Sequence, residues 1–368
     1  SGGELQRVAI GATLLKSSNV FFFDEPTSYL DIKQRIQIAK LINGLPDGKS
    51  ASMVIDHDLI VLDYMTDLIN VMYGHESVYG VSSGVKANRE GINQYLDGFL
   101  KEENMKFRNS ALKFEKYIKK IAGQKVSLVS WKDFSQELGK FSLTGSSGEL
   151  FKHEVVGVLG ENGIGKTTFV KMLAGEIQSS AFGGKVSVAY KPQYLDISDD
   201  VTVAEFLREA MQYQNQIITP LDLQKLYTKK LSTLSGGELQ KVMVAKVLGE
   251  DAELLLLDEP SAYLDVEQRL IVAKVIRSII EERECTALIV DHDFMFLDAL
   301  ADRVVVFTGQ PAVEGKIEGP YELHDGVNKF LKTLDITMRR DDRSHRPRIN
   351  KPGSVKDREQ KSENKWYY

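Results

Sequence analysis

The chain has 368 residues, enough for two domains at about 100–200 residues each. Its 42% apolar and 27% charged residues are ordinary globular values, and its net charge of -5 excludes a broadly basic nucleic-acid surface, leaving only local patches for such contacts. The longest apolar runs, residues 20–23 and 254–257, are strand-sized and exclude a bilayer-spanning segment, while the single Cys285 excludes an internal disulfide or a cysteine-held cluster built from this chain alone.

A reducing compartment suits that cysteine usage, and the cytoplasm is the expected location. The chain opens on Ser1-Gly2-Gly3-Glu4-Leu5-Gln6-Arg7, with no initiating methionine and no charged-then-apolar leader, so it reads as a fragment. Ser-x-x-Glu before an apolar run is a helix capping box. A serine hydroxyl and two glycine N–H groups at a helix N-terminus also form an anion pocket, so Ser1, Gly2 and Gly3 carry both readings. Residues 20–23 then read as a buried strand ending in Asp24-Glu25-Pro26, followed by Tyr29-Leu30-Asp31. Residues 52–55 form a second β-like run that leads into Asp56-His57-Asp58. From residue 79 to 122 the chain is charged and broken by glycine, and reads as a helical connector rather than a structureless linker.

Further along, Phe141 lies 19 residues ahead of a Gly-rich turn, where an aromatic side chain serves equally as core or as a platform for adenine. Residues 155–159 are a short apolar run, and 167–173 have helical spacing. Between them Gly160-Glu161-Asn162-Gly163-Ile164-Gly165-Lys166-Thr167-Thr168 fits the phosphate-binding P-loop. There backbone N–H groups wrap the phosphates, Lys166 reaches the β- and γ-phosphates, and Thr167 offers a hydroxyl to Mg²⁺. The rival reading, an ordinary glycine turn, is weakened by the strand before it and the helix after it. Gln193, behind Tyr190-Lys191-Pro192, is either a metal and water contact or a plain polar residue.

At Ser235-Gly236-Gly237-Glu238-Leu239-Gln240-Lys241 the opening motif returns, 234 positions on. Asp258-Glu259-Pro260 and Tyr263-Leu264-Asp265 follow at the same offset, and Asp291-His292-Asp293 returns slipped by one. A repeat this long means two copies of one domain rather than a solenoid. Strand and helix alternate through the second copy, with 254–257 and 287–290 as further buried strands, so an α/β fold with a largely parallel sheet is expected. The acid pair ends a strand, where an ATPase needs one carboxylate near the metal and one near the attacking water. Asp258 is the metal-side residue and Glu259 the general base, with Asp24 and Glu25 in the same places in copy one; the alternative is that they only cap a strand end in solvent. His57 and His292, each between aspartates after a β-like run, can face a phosphate oxygen with one nitrogen while the other is held. Cys285 reads as an inert thiol. Gly91-Ile92-Asn93-Gln94-Tyr95-Leu96 matches Gly326-Val327-Asn328-Lys329-Phe330-Leu331, so a related helical segment follows each copy. The expected divisions are 1–80, the C-terminal part of the first nucleotide-binding domain; 81–122, a connector; 123–320, the complete second domain; and 321–368, a second hinge and tail.

Taken together, the signature motif, Asp-Glu-Pro, Tyr-Leu-Asp and the histidine resemble the ABC ATPase superfamily. Two cassettes in one chain with the repeated Gly-φ-Asn-x-aromatic-Leu segment look like the ABC-E family of ribosome-recycling factors, also called RNase L inhibitors. The resemblance implies an α/β P-loop NTPase fold with tandem ABC-type nucleotide-binding domains and helical hinge segments, using ATP and Mg²⁺ (Thr167, Gln193, Asp258, Asp24). It also implies head-to-tail pairing, each ATP held between one half's P-loop and the other's Ser-Gly-Gly. Gly160, Asn162, Gly163, Gly165, Lys166, Thr167 and Thr168 would work with Ser1, Gly2, Gly3 and Asp31, while Ser235, Gly236, Gly237 and Asp265 would serve a second site whose P-loop falls before residue 1. The family's N-terminal domain with two iron–sulfur clusters is implied for a full-length member; one cysteine cannot hold them. Implied partners are the ribosome, through the small subunit and ribosomal RNA, and a release-factor-like or pelota-like protein, with no membrane and no homodimer required. Within this frame the basic tail after residue 339 is either a solvated end or a hinge piece whose outer Arg346 and Arg348 contact ribosomal RNA phosphates. An ABC-F translation factor and a transporter ATPase are the alternatives, and the hinge repeat argues against both.

Overall fold

Residues 2–46, 49–75, 78–114, 126–183, 186–193 and 201–367 are described by the computed structural model. They form two units, Ser1–Glu115 with Leu334–Tyr368, and Lys116–Thr333.

In the second unit the apolar runs become strands of an eight-stranded sheet. Its order is Phe134–Leu138, Phe141–Gly145, Glu314–Glu322, Arg303–Gln310, Val155–Leu159, Thr286–Val290, Leu254–Asp258, Val188–Lys191. Val155–Leu159, Thr286–Val290 and Leu254–Asp258 are buried along their whole length, as continuous apolar runs in a parallel sheet covered on both faces must be. Their parallel registers pair Val158 with Val290 and Asp258 with Val290, so three strands end side by side at one edge. That edge is where an open α/β sheet offers a binding crevice. Antiparallel pairing occurs at Phe134–Leu138 with Phe141–Gly145 and at Arg303–Gln310 with Glu314–Glu322, and a separate antiparallel sheet centres on Ser127–Trp131. Phe169, from the helix Lys166–Leu173, lies in the core with Val156, Val158, Leu254, Leu256, Leu288 and Val290.

The first unit repeats a part of this plan. Val20–Asp24 pairs in parallel with Ala51–Ile55, and helices Gly2–Leu14, Ile32–Asn43 and Leu59–Met65 accompany them. Phe21 and Phe23 are buried, whereas Val20, Phe22, Met53 and Ile55 are exposed. Their repeat counterparts are Leu254, Leu256, Leu288 and Val290, the residues that meet the P-loop strand and helix in the second unit. The shared Gly-φ-Asn segment has a packing reason. A Cβ on Gly91 would stand 2.2 Å from a methyl of Ile69, and one on Gly326 would stand 2.1 Å from a methyl of Val304, so in both copies the helix lies closer to a strand than any other residue permits. Of the connector expected to be helical, Asn88–Asp97 is helix, with short antiparallel pairs at Tyr79–Ser82 and Phe99–Leu100; residues 115–122 lie outside the described residues.

The tail is not a solvated end, and the two arginines expected to face outward do not. Met338–Arg340 and Pro347–Ile349 form a hairpin, and Val355–Ser362 a helix capped by Ser354. Asn350 donates to Thr337 at 2.9 Å, and Thr337 to Asp357 at 2.6 Å, so the segment has a buried polar network rather than a solvated end. Arg346 and Arg348 are not outer arginines. Arg346 is fully buried and donates to Asp63 at 3.0 Å; Arg348 grips both oxygens of Asp63 at 2.5 and 2.9 Å and reaches Asp341 at 3.1 Å. A guanidinium so enclosed cannot also meet an external phosphate, and the expected RNA contact through these two residues is withdrawn.

Candidate nucleotide site

Gly163 and Gly165 turn the loop between strand and helix with φ of +75° and +94°, a region that side chains with a Cβ rarely enter. Space enforces the same choice at Gly165, where a Cβ would stand 2.9 Å from Leu143 and 3.0 Å from the ring of Phe141. Phe141 thus forms the wall behind the loop while staying half-exposed beside it. Lys166, almost fully buried, folds back over the turn and donates to the carbonyls of Gly160 (2.8 Å) and Glu161 (3.1 Å). Its ammonium therefore sits over the backbone cradle, and the N-terminal N–H groups of helix Lys166–Leu173, with Thr167 and Thr168 in its first turn, face the same loop end.

Across the strand edge Thr167 donates its hydroxyl to Asp258 at 3.0 Å. Burial, and then the neighbouring charge of Glu259, push Asp258 up to about 6. Glu259 moves the other way. Burial opposes its ionisation, but the hydrogen bond and charge of His292, with Lys166 and Lys191, hold it below the ordinary carboxylate range. His292 Nε2 lies 3.2 Å from Glu259 Oε1, and Gln193 donates to that same oxygen at 2.7 Å. The adjacent acids are thus driven apart, Asp258 upward and Glu259 downward, so Glu259 is the last of the two to take a proton as pH falls. Copy one repeats the pair in the open: His57 Nε2 stands 3.2 Å from Glu25 Oε1, each about half-exposed, and Asp24 ends the strand before them. Glu25 and Glu259 share a left-handed backbone, φ +44° and +50°.

Ser235 realises the capping box, its hydroxyl accepting from the Glu238 N–H while Glu238 reaches back to the Ser235 N–H. Ser1 lies outside the described residues. The glycines that follow have a second task, since a Cβ would meet the carbonyl oxygen of Tyr29 at 2.8 Å from Gly3 and that of Tyr263 at 3.0 Å from Gly237. Gly2 and Gly236 lie similarly close to the tyrosine rings, so the helix start rests on the Tyr-Leu-Asp turn in both copies. Asp31 and Asp265 cap the helices after those turns, accepting from Gln34 and Gln268.

Sequence reasoning missed three features here. Lys191 is fully buried and donates to the Asp258 carbonyl at 2.9 Å; burial lowers it to about 8 against the charges of Asp258, Asp291 and Glu259. Asp56 and Asp291 tie the turns after the acid pairs, accepting from Thr27 at 2.6 Å and Ser261 at 2.7 Å. Gln6 and Gln240 donate to the carbonyls of Glu25 and Glu259, at 3.0 and 2.6 Å. The last was legible in principle, because glutamine recurs at the sixth place of both signature segments.

The ABC transporter family model matches residues 143–262. ABC transporter E family member 1 of Arabidopsis thaliana is 42% identical over the whole chain, which covers 64% of that relative. Among solved structures, an archaeal ribosome recycling factor, aABCE1, in complex with the archaeal ribosomal stalk protein aP1 matches the whole chain at 46% identity and a TM-score of 0.92, with 73% of its own length covered. A ribosome-bound archaeal Pelota and ABCE1 assembly matches at 46% identity and a TM-score of 0.94, with 63% covered. The chain spans between 62% and 64% of the curated relatives that match it from end to end. Among the described residues, no helix is long and apolar enough to cross a membrane.

Proposed function

The chain belongs to the ABC-E family, and on that premise we propose that it works within a cytoplasmic twin-cassette ATPase that splits ribosomes. The observation that carries the chemistry is the setting of Glu259: charged, fixed by His292 and Gln193, and next to a buried Asp258 bonded to the P-loop threonine.

In this reading the loop Gly160–Thr168 N–H groups and Lys166 bind the nucleotide phosphates, and half-exposed Phe141 offers its ring to the base. The oxygens of Thr167, Asp258 and Gln193 are the hard donors Mg²⁺ prefers, so these residues would hold it, and Asp24 would do so in copy one. When bound, the ion neutralises charge on the phosphate oxygens. Glu259 takes the proton of the attacking water as its oxygen bonds to the γ-phosphorus and the bond to the β–γ bridging oxygen breaks. His292 holds that carboxylate and faces the leaving phosphate; Glu25 and His57 do the same in copy one. Ser235, Gly236 and Gly237, like Ser1, Gly2 and Gly3, present a helix N-terminus to phosphate, with Asp31 and Asp265 bracing the turns beneath them.

Binding and release of the γ-phosphate then switch the cassettes between two states, and segments 81–122 and 321–368 carry that motion to the ribosome. The partners in this proposal are the small subunit with its RNA and a release-factor-like or pelota-like protein; the ribosome and the pelota-like protein are in line with the ribosome-bound Pelota and ABCE1 assembly of a structural relative. Two iron–sulfur clusters belong, in this proposal, to a part of the natural protein outside this sequence. A gradient-sedimentation assay tests the function. The natural full-length protein with ATP and a pelota-like partner should convert whole ribosomes into subunits, and Lys166→Ala should abolish this. Splitting by Lys166→Ala at the normal rate would refute the proposal.

A further inference from the structure

Both signature helices send a glutamine to the same kind of atom. Gln240, 1% exposed on helix Gly236–Gly249, donates from Nε2 to the main-chain carbonyl of Glu259 at 2.6 Å; Gln6, on helix Gly2–Leu14, donates to the carbonyl of Glu25 at 3.0 Å. The same bond thus recurs in both copies of the domain.

Each receiving carbonyl belongs to a glutamate in left-handed backbone, a conformation a non-glycine residue holds only when its surroundings impose it. Those surroundings can be named. The Glu259 N–H donates to Val290 at 2.7 Å, Lys191 holds the preceding carbonyl at 2.9 Å, and Gln240 holds the carbonyl of Glu259 itself. In copy one the Glu25 N–H donates to Ile55 at 2.8 Å and Gln6 takes the carbonyl, while Lys191 precedes the repeated stretch. The glutamine is therefore the clamp that both copies share. It rises one turn beyond Gly236 and Gly237, which rest on the Tyr263 turn, so the phosphate-facing end of the helix and the peptide of the base move as one piece.

We propose that Gln240 and Gln6 are positioning residues that couple the signature helix of each cassette to the general base of the same cassette. Displacement of that helix rotates the glutamate peptide and moves the carboxylate toward or away from the attacking water. The proposal rests on the reading of Glu259 and Glu25 as bases.

Single-turnover ATP cleavage by the natural full-length protein tests it, beside equilibrium nucleotide binding and the thermal unfolding midpoint. Gln240→Met keeps length and loses the donor. It should slow cleavage at the Glu259 site about 10-fold or more, a part of the ~10²–10⁴ that a general base contributes, with affinity and midpoint unchanged. In a Glu259→Gln background the remaining cleavage comes from the Glu25 site. There Gln240→Met should add nothing to the loss, and Gln6→Met should lower the rate again. Unaltered cleavage by Gln240→Met, or a loss that reappears in full on Glu259→Gln, overturns the coupling. A slowing matched by equal falls in affinity and midpoint assigns Gln240 to structure alone and overturns it as well. Normal cleavage by Glu259→Gln itself would instead sink the base assignment, which separates the two failures.

Discussion

Asp63→Asn removes one negative charge from beneath two arginines while hardly changing shape. Asp63 is 5% exposed in its side chain; Arg346, its partner at 3.0 Å, is at 0%, and Arg348 at 15%. Among the described residues, Nε and Nη2 of Arg346 have no hydrogen-bond partner, so the carboxylate is the main compensation for a charge cut off from water. Breaking such a pair from one side costs about 3–5 kcal/mol, against a total of about 5–15 kcal/mol for a typical domain. At about 2 kcal/mol per molar of urea, the midpoint should fall by roughly 1.5–2.5 M. The chain has two tryptophans, Trp131 in one unit and Trp366 in the other, so Trp366 fluorescence in a Trp131→Phe background reports the unit that contains Asp63. Replacing all three residues with apolar ones of similar volume should recover only part of the loss, because buried Asp341 then loses Arg348 and the charge of Arg346 and keeps only Arg89 as an ion-pair partner. A midpoint shift below about 0.3 M for Asp63→Asn would refute the view that the tail is held down by this cluster.

Gly165→Ala should weaken nucleotide binding by about 5–150-fold, since φ of +94° and a neighbour 2.9 Å from the new Cβ together strain the loop by about 1–3 kcal/mol; equilibrium binding at normal strength would contradict this. The first unit should lose stability in acid. Asp341 is held well below its ordinary value: burial works against this, but the N–H groups of Ser344 and Arg343 and the charges of Arg346 and Arg89 prevail. Glu102 is lowered to about 2, first by its hydrogen bond with Lys86. Depressed carboxylates stabilise above their unfolded values of about 3.9 and 4.3 and lose that contribution as pH falls toward the folded ones. Trp366 fluorescence should therefore show unfolding free energy falling between about pH 4 and 2, and a flat profile there would count against it. Cys285 is buried and its thiol is pushed up to about 11 by that burial, so a maleimide at pH 7.5 should label it only after denaturation.

Local patterns were the legible part of this protein. The P-loop, the acid pairs and the Ser235 cap each need a fixed order of residue types within a few positions, and the strands Val155–Leu159 and Leu254–Asp258 stood out as unbroken apolar runs. Contacts between distant segments left no such trace. Arg346 and Arg348 read as solvent-facing because Asp63 lies 283 and 285 positions away, and nothing near them marks the site as buried. The antiparallel edge at Phe134–Gly145 escaped notice because Phe134–Leu138 has apolar residues only at its two ends and none of its five residues is fully buried. Lys191 was passed over as part of the frame for Gln193, since a lysine is seldom buried without a reason the sequence states. Gln6 and Gln240 were visible as a repeat, yet their role depends on a left-handed peptide that only the fold reveals.

Glu259 as the base beside an intact phosphate cradle makes binding and cleavage separable. Glu259→Gln in the natural full-length protein should bind ATP within about twofold of normal, while single-turnover cleavage at its site falls by ~10²–10⁴. Cleavage at an unchanged rate with binding preserved would contradict the assignment.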